Sequence, residues 1–139
     1  MENSKIEWVA TVNPDGTVSP GHTFNPVIGC CKISAGCQHC YALTLMETRY
    51  NRAQWGPNTR RVRTSSSNWK KPIMWNANAK ATGRRAKVFC ASLSDVFEDH
   101  PDWIQPRADL FDLIAQTPYL DWLLLTKRPE NINRMVADY

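Results

Sequence analysis

Apolar and polar residues alternate in short runs over the first part of the chain and recur at helical spacing near its end, with a poorly periodic basic stretch between. A short apolar piece surrounds Ile6 and Trp8. Residues 9–12 and 17–18 then flank Asn13-Pro14-Asp15-Gly16, a turn sequence that predicts a hairpin. Residues 22–28 are short and β-leaning and run into Gly29. From Tyr41 to about Arg52, Ala42, Leu45 and Met46 beside Leu43 and Tyr50 predict an amphipathic helix, which Gly56-Pro57 ends. Within residues 55–86 a short helix is expected over residues 71–80, between Pro72 and Gly83. Residues 87–93 contain the compact run Val88-Phe89-Cys90-Ala91 and predict a buried strand. A helix follows with Pro106 in its first turn and Leu110, Phe111 and Ile114 as its stripe. Residues 120–125 are nearly continuously apolar, as in a strand covered on both faces, and Pro129 and Glu130 open a last helix bearing Ile132, Met135, Val136 and Tyr139.

Strand followed by helix, twice over, predicts parallel βα units, in which sites gather at the carboxyl ends of the strands. Those ends carry Ser92, Ser94 and Asp95 after one strand and Thr126, Lys127 and Arg128 after the next, and with the cysteine loop they can line one mouth. Capping is the structural alternative for Ser92, Ser94 and Asp95, and solvation that for Lys127 and Arg128. Cys90, inside a strand, reads as a small core residue.

The 139 residues, 42% hydrophobic with six tryptophans, are enough for one core and one domain. No apolar run approaches the roughly 20 residues of a membrane span, and Met1 to Lys5 lacks the apolar stretch of a secretory signal. A reducing cytoplasm is the expected compartment. There five cysteines, four of them within residues 30–40, suit metal better than disulfides.

Cys30, Cys37 and Cys40 can hold three corners of a cubane iron–sulfur cluster and leave the fourth iron open. The alternative is a noncatalytic zinc module for nucleic-acid or protein binding, with Cys30 or Cys31, Cys37, Cys40 and one of Cys31, His22 or His39 closing a tetrahedron. Charge adds a second theme to a net +4: no acidic residue lies between Glu47 and Asp95, whereas 11 of the 17 Lys and Arg do. Arg60, Arg61, Arg63, Lys70, Lys71, Arg84 and Arg85, interleaved with Trp55, Trp69 and Trp75, have the make-up of a nucleic-acid-facing surface. A solvated face over core tryptophans is the plainer reading of the same residues.

Further motifs run along nearly the whole chain: Lys5-Ile6-Glu7-Trp8, Thr23-Phe24-Asn25-Pro26, Gly29-Cys30, Gly36-Cys37, Cys40-Tyr41-Ala42, Arg61-Val62-Arg63, Asn68-Trp69, Lys71-Pro72, Trp75-Asn76, Val88 to Leu93 and Leu123 to Pro129. In these the chain resembles an uncharacterised family of phage and prophage proteins, itself similar to radical S-adenosylmethionine enzymes such as spore photoproduct lyase. The resemblance implies an α/β fold, a partial (βα) barrel forming a single domain over residues 1–139. The cysteine loop and first helix span 22–52, a basic irregular segment 53–86 and two βα units 87–139. It implies a [4Fe-4S] cluster on Cys30, Cys37 and Cys40, with Cys31 as an alternative ligand. S-adenosylmethionine would bind the open iron, and a 5′-deoxyadenosyl radical would take hydrogen from a nucleic acid or nucleotide-derived substrate. Ser92, Ser94, Asp95 and Lys127 are the cofactor-binding candidates, and the cytoplasm of a bacterial host is the implied location. About six βα units make such a barrel and at most three are legible here, so a missing C-terminal segment or a protein partner is expected to cover the open edge of residues 120–125.

Overall fold

The computed structural model describes residues 1–137 and 139. The hairpin forms where its turn sequence lies: β1 (Thr11–Val12) pairs antiparallel with β2 (Val18–Ser19), and the Asn13 side chain ties the turn to Thr17 and Ser19. The central sheet is parallel, in the order β3 (His22–Thr23), β6 (Ala86–Cys90), β7 (Leu120–Leu124). A separate antiparallel pair, β4 (Val27–Ile28) with β5 (Val62–Arg63), carries the chain away from β3 and into the cysteine loop. Among the described residues this is a mixed α/β arrangement of small sheets without a closed barrel.

The helices depart from their predicted bounds for local reasons. After one α-helical turn, α1 (Tyr41–Leu43), the chain continues as a π-helix over Thr44–Arg49, a wider coil often found beside functional sites. The helix expected at 71–80 is longer, α2 (Ser66–Thr82). Ser65 caps it by accepting from Asn68 N, and Gly83 ends it at φ +67°. Pro72 sits inside it, leaving the Asn68 carbonyl without a helical donor, and its ring is buried. α3 (Ile104–Gln116) buries Leu110 and Leu113, with Phe111 and Ile114 at the margin, and α4 (Ile132–Val136) buries Met135.

Phe24, Trp75, Val88, Val96, Trp103, Leu110 and Leu120 form the centre of the main core between the sheet and these helices. β6 is the central strand, and its Val88, Phe89 and Cys90 are buried as expected. The expectation of double coverage for residues 120–125 does not hold. β7 is the sheet's edge, only Leu120 is fully buried, and Leu125 is 57% exposed. No helix among the described residues is long and apolar enough to cross a membrane.

His22 sits in this core stacked on Trp75, with ring centroids 4.3 Å apart, and its Nδ1 accepts from Asn3 N. Burial lowers its pKa, and the opposing carboxylate of Glu2 does not outweigh that. The folded state therefore resists a proton that the unfolded chain accepts, and stability falls as pH drops below about 6.5. Urea midpoints measured from about pH 7 down to pH 5 should decline, and the His22→Gln variant should show a flatter profile over that range.

Candidate functional site

Three loops leave the carboxyl ends of the parallel strands and meet around one cleft of about 290 Å³. The first, after β3 and β4, presents Cys30, Cys31, Cys37 and Cys40. The second, after β6, presents Ser92, Ser94 and Asp95, and the third, after β7, presents Thr126, Lys127 and Arg128. Tyr41, Trp55, Phe89 and Leu125 supply apolar wall. All five cysteines are free thiols, and Cys90 lies buried in β6, away from the loop.

Arg128 is the hub. Its Nη1 donates to Asp95 Oδ2 at 3.0 Å and reaches Cys30 Sγ at 3.5 Å. Its Nη2 donates to the Cys31 carbonyl at 3.1 Å, reaches Cys31 Sγ at 3.3 Å, and lies 3.5 Å from Glu98 Oε1. Glu98 in turn accepts two hydrogen bonds from Arg61, at 2.7 and 2.8 Å. Asp95 organises the other side: Oδ1 accepts from Thr126 Oγ1 and Phe97 N, and Oδ2 from Lys127 N and Arg128. The Lys127 ammonium donates to the Gly36 carbonyl. Adjacent cations after β7 thus clamp the cysteine loop at two points, beside Cys31 and beside Cys37.

Burial pushes the Cys30 thiol up to about 11, with the Glu98 charge adding and Arg128 opposing, and burial raises Cys31 as well. Cys37 goes the other way. Burial works against its ionisation, but hydrogen bonds from the Ile33 and Ser34 backbone, the Ser34 hydroxyl and the Lys127 charge hold its pKa below the usual thiol range. Burial also disfavours the Arg128 charge, and Cys30, Asp95 and Glu98 more than offset this and raise its pKa. Among the described residues no three His, Cys, Asp or Glu side chains are gathered closely enough to grip one metal ion.

The remaining predicted residues scatter. Ser92 exchanges hydrogen bonds with the Asn25 side chain and Ser94 donates to the Val27 carbonyl, so both tether the strand ends that lead into the loop. His22 is sequestered against Trp75, and His39 is exposed and outside the cleft lining. Among the basic candidates, Arg61 must be corrected: its side chain is 0% exposed, because Glu98 holds it inside. Arg60 pairs with Asp102, Arg63 with Asp109 and also over the Trp69 ring, Arg84 with Asp15, and Arg85 with Asp121. Lys70 and Lys71 are exposed. Trp75 is core, whereas Trp69 and Trp55 are partly buried. Glu98 escaped the sequence reading. It is one of three carboxylates in the stretch Asp95 to Asp99, and nothing local distinguishes it from its exposed neighbour Asp99; its burial follows only from Arg61 and Arg128.

A family model described as a protein of unknown function (DUF5131) matches residues 3–139. No curated protein and no solved structure matches the chain.

Proposed function

The chain belongs to the DUF5131 family, and from its site we propose an iron–sulfur protein of radical S-adenosylmethionine type. Cys30, Cys37 and Cys40 would hold a [4Fe-4S] cluster, with Cys31 as the alternative to Cys30. The observation that carries this reading is the shared cleft: the thiols of one loop and the polar ends of two adjacent parallel strands line the same space of about 290 Å³. The donor set fits. Thiolates are the ligands such clusters take, and Arg128 already places N–H groups near the Cys30 and Cys31 sulfurs. A structural zinc ion wants four protein donors in a closed tetrahedron, usually as two separated pairs. With His22 locked on Trp75 and His39 outside the cleft lining, the fourth donor would be Cys31, and the adjacent Cys30 and Cys31 make an awkward chelate for one ion. The cluster needs three thiolates on three separate irons, which this loop supplies without a histidine.

When bound, the cluster and S-adenosylmethionine supply one-electron chemistry that starts hydrogen-atom removal from a substrate. The protein's own residues do the rest. Arg128 and Lys127 hold the loop in place, Asp95 holds both of them, and Cys37 is the thiol whose surroundings favour the anion. Trp55, Tyr41 and Leu125 line the cleft with apolar surface. The strand order β3-β6-β7 suits part of a (βα) barrel, completed by a further segment or a partner. A nucleic acid or nucleotide-derived substrate, in the cytoplasm of a bacterial host, completes the reading.

Anaerobic reconstitution with iron and sulfide tests it. The expected product is brown, carries four iron and four sulfide per chain, and gives a paramagnetic resonance signal on reduction. Cys37→Ala and Cys40→Ala should abolish iron retention while Cys90→Ala keeps it. A colourless protein with one zinc would overturn the proposal. Release of 5′-deoxyadenosine from added S-adenosylmethionine then reports turnover.

A further inference from the structure

Folding matches the acid-free segment with carboxylates brought from elsewhere in the chain: Arg60, Arg61, Arg63, Arg84 and Arg85 each have one. Of the six cations of the same segment without a carboxylate partner among the described residues, Arg49, Arg52, Lys70, Lys71, Lys80 and Lys87, the exposed Arg52 and Lys71 come together. They line a second cleft, of about 340 Å³, together with Arg63, Asn25, Ser65 and Asn68. None of the lining residues is an Asp or Glu. Asp109 engages one terminal nitrogen of Arg63, at 2.6 Å, and the guanidinium carbon sits over the Trp69 ring, 4.2 Å from its centroid.

We propose that this second cleft binds a phosphate group, held by Arg52, Lys71 and Arg63. Like charges gathered around a concavity repel one another, and an anion bound among them removes that repulsion. The forked N–H groups of arginine match phosphate oxygens, and lysine adds a mobile point charge. Asn25, Ser65 and Asn68 contribute neutral polar groups at the wall. Position adds a reason for a phosphate ester: Ser92 and Ser94 line the cysteine cleft while Leu93 lines this one, and Asn25 bonds to both Ser92 and Leu93. The two clefts thus adjoin along one stretch of chain, residues 92–94. The inference does not depend on a cluster, because iron content and phosphate binding are measured separately.

The test uses the full chain and fluorescence anisotropy of a labelled single-stranded oligonucleotide over a salt series, with a mononucleotide and inorganic phosphate as competitors. Arg52→Gln/Lys71→Gln should weaken binding uniformly across sequences and lower the salt slope by about 1 for each cation removed. Both residues are exposed, so folding is not at stake. Lys80→Gln/Arg134→Gln removes the same charge from exposed positions outside both clefts and should leave the affinity unchanged. Displacement by the mononucleotide and phosphate assigns the site to single phosphate groups, and displacement by strands alone assigns it to a nucleic-acid backbone. No salt-sensitive binding of any of the three, or equal weakening in the two double variants, would overturn the proposal.

Discussion

Replacing Arg61 by Met should cost about 3–5 kcal/mol of folding stability, while the same change at its neighbour Arg60 should barely move the denaturation midpoint. Both side chains pair with a carboxylate, at 2.7 and 2.8 Å. What separates them is water. The Arg60 side chain is 87% exposed, and solvent screens its pair with Asp102 almost completely. The Arg61–Glu98 pair has side-chain exposures of 0% and 4%, so losing the guanidinium strands a carboxylate that only the more distant Arg128 still faces. Arg61 also donates to the Thr59 and Gly56 carbonyls, and these acceptors lose their partner as well. Urea denaturation of the two single variants gives the comparison directly. Adding Glu98→Gln to Arg61→Met should recover part of the loss, because it removes the abandoned charge. Equal midpoints for the Arg61 and Arg60 variants would contradict the buried network.

The second large effect is expected at Arg128. Arg128→Met leaves Asp95 and Glu98 short of a cation and frees the Cys31 carbonyl, at a cost again of about 3–5 kcal/mol. A readout specific to the loop accompanies it: Cys30 and Cys31 should react more slowly with a maleimide in the folded variant, since both sulfurs lose the cation 3.3 to 3.5 Å away that favours their thiolates and are left facing Glu98. Arg128→Lys keeps the charge but has no planar fork to span the two carboxylates and the carbonyl, so it should fall between wild type and Met. Mass spectrometry of labelled peptides after a short exposure distinguishes the cases. Unchanged labelling at both cysteines would mean that Arg128 serves the core alone and not the loop.

Hydrophobic spacing and turn chemistry were enough to locate the β1–β2 hairpin, β6, α3 and the start of the last helical segment, because each is decided within a few residues of itself. They were also enough to bring the cysteines, Ser92 to Asp95 and Thr126 to Arg128 to one mouth, since parallel strands present their carboxyl ends together. Elsewhere local pattern failed for physical reasons. The start of α2 rested on one serine cap ahead of a buried proline, a signal weaker than the apparent break. The edge position of β7 depends on how many strands pair, which an apolar run does not encode.

The chain itself determined which chemistry is available: thiols crowded into one loop, cations crowded into one acid-free stretch, and the strand ends that flank them. Only the tertiary structure decided which of those charges remain unopposed. Asp15, Glu98, Asp102, Asp109 and Asp121 lie far from their arginines in sequence, and whether a cation is buried, neutralised or left facing a cleft follows from three-dimensional proximity and solvent access.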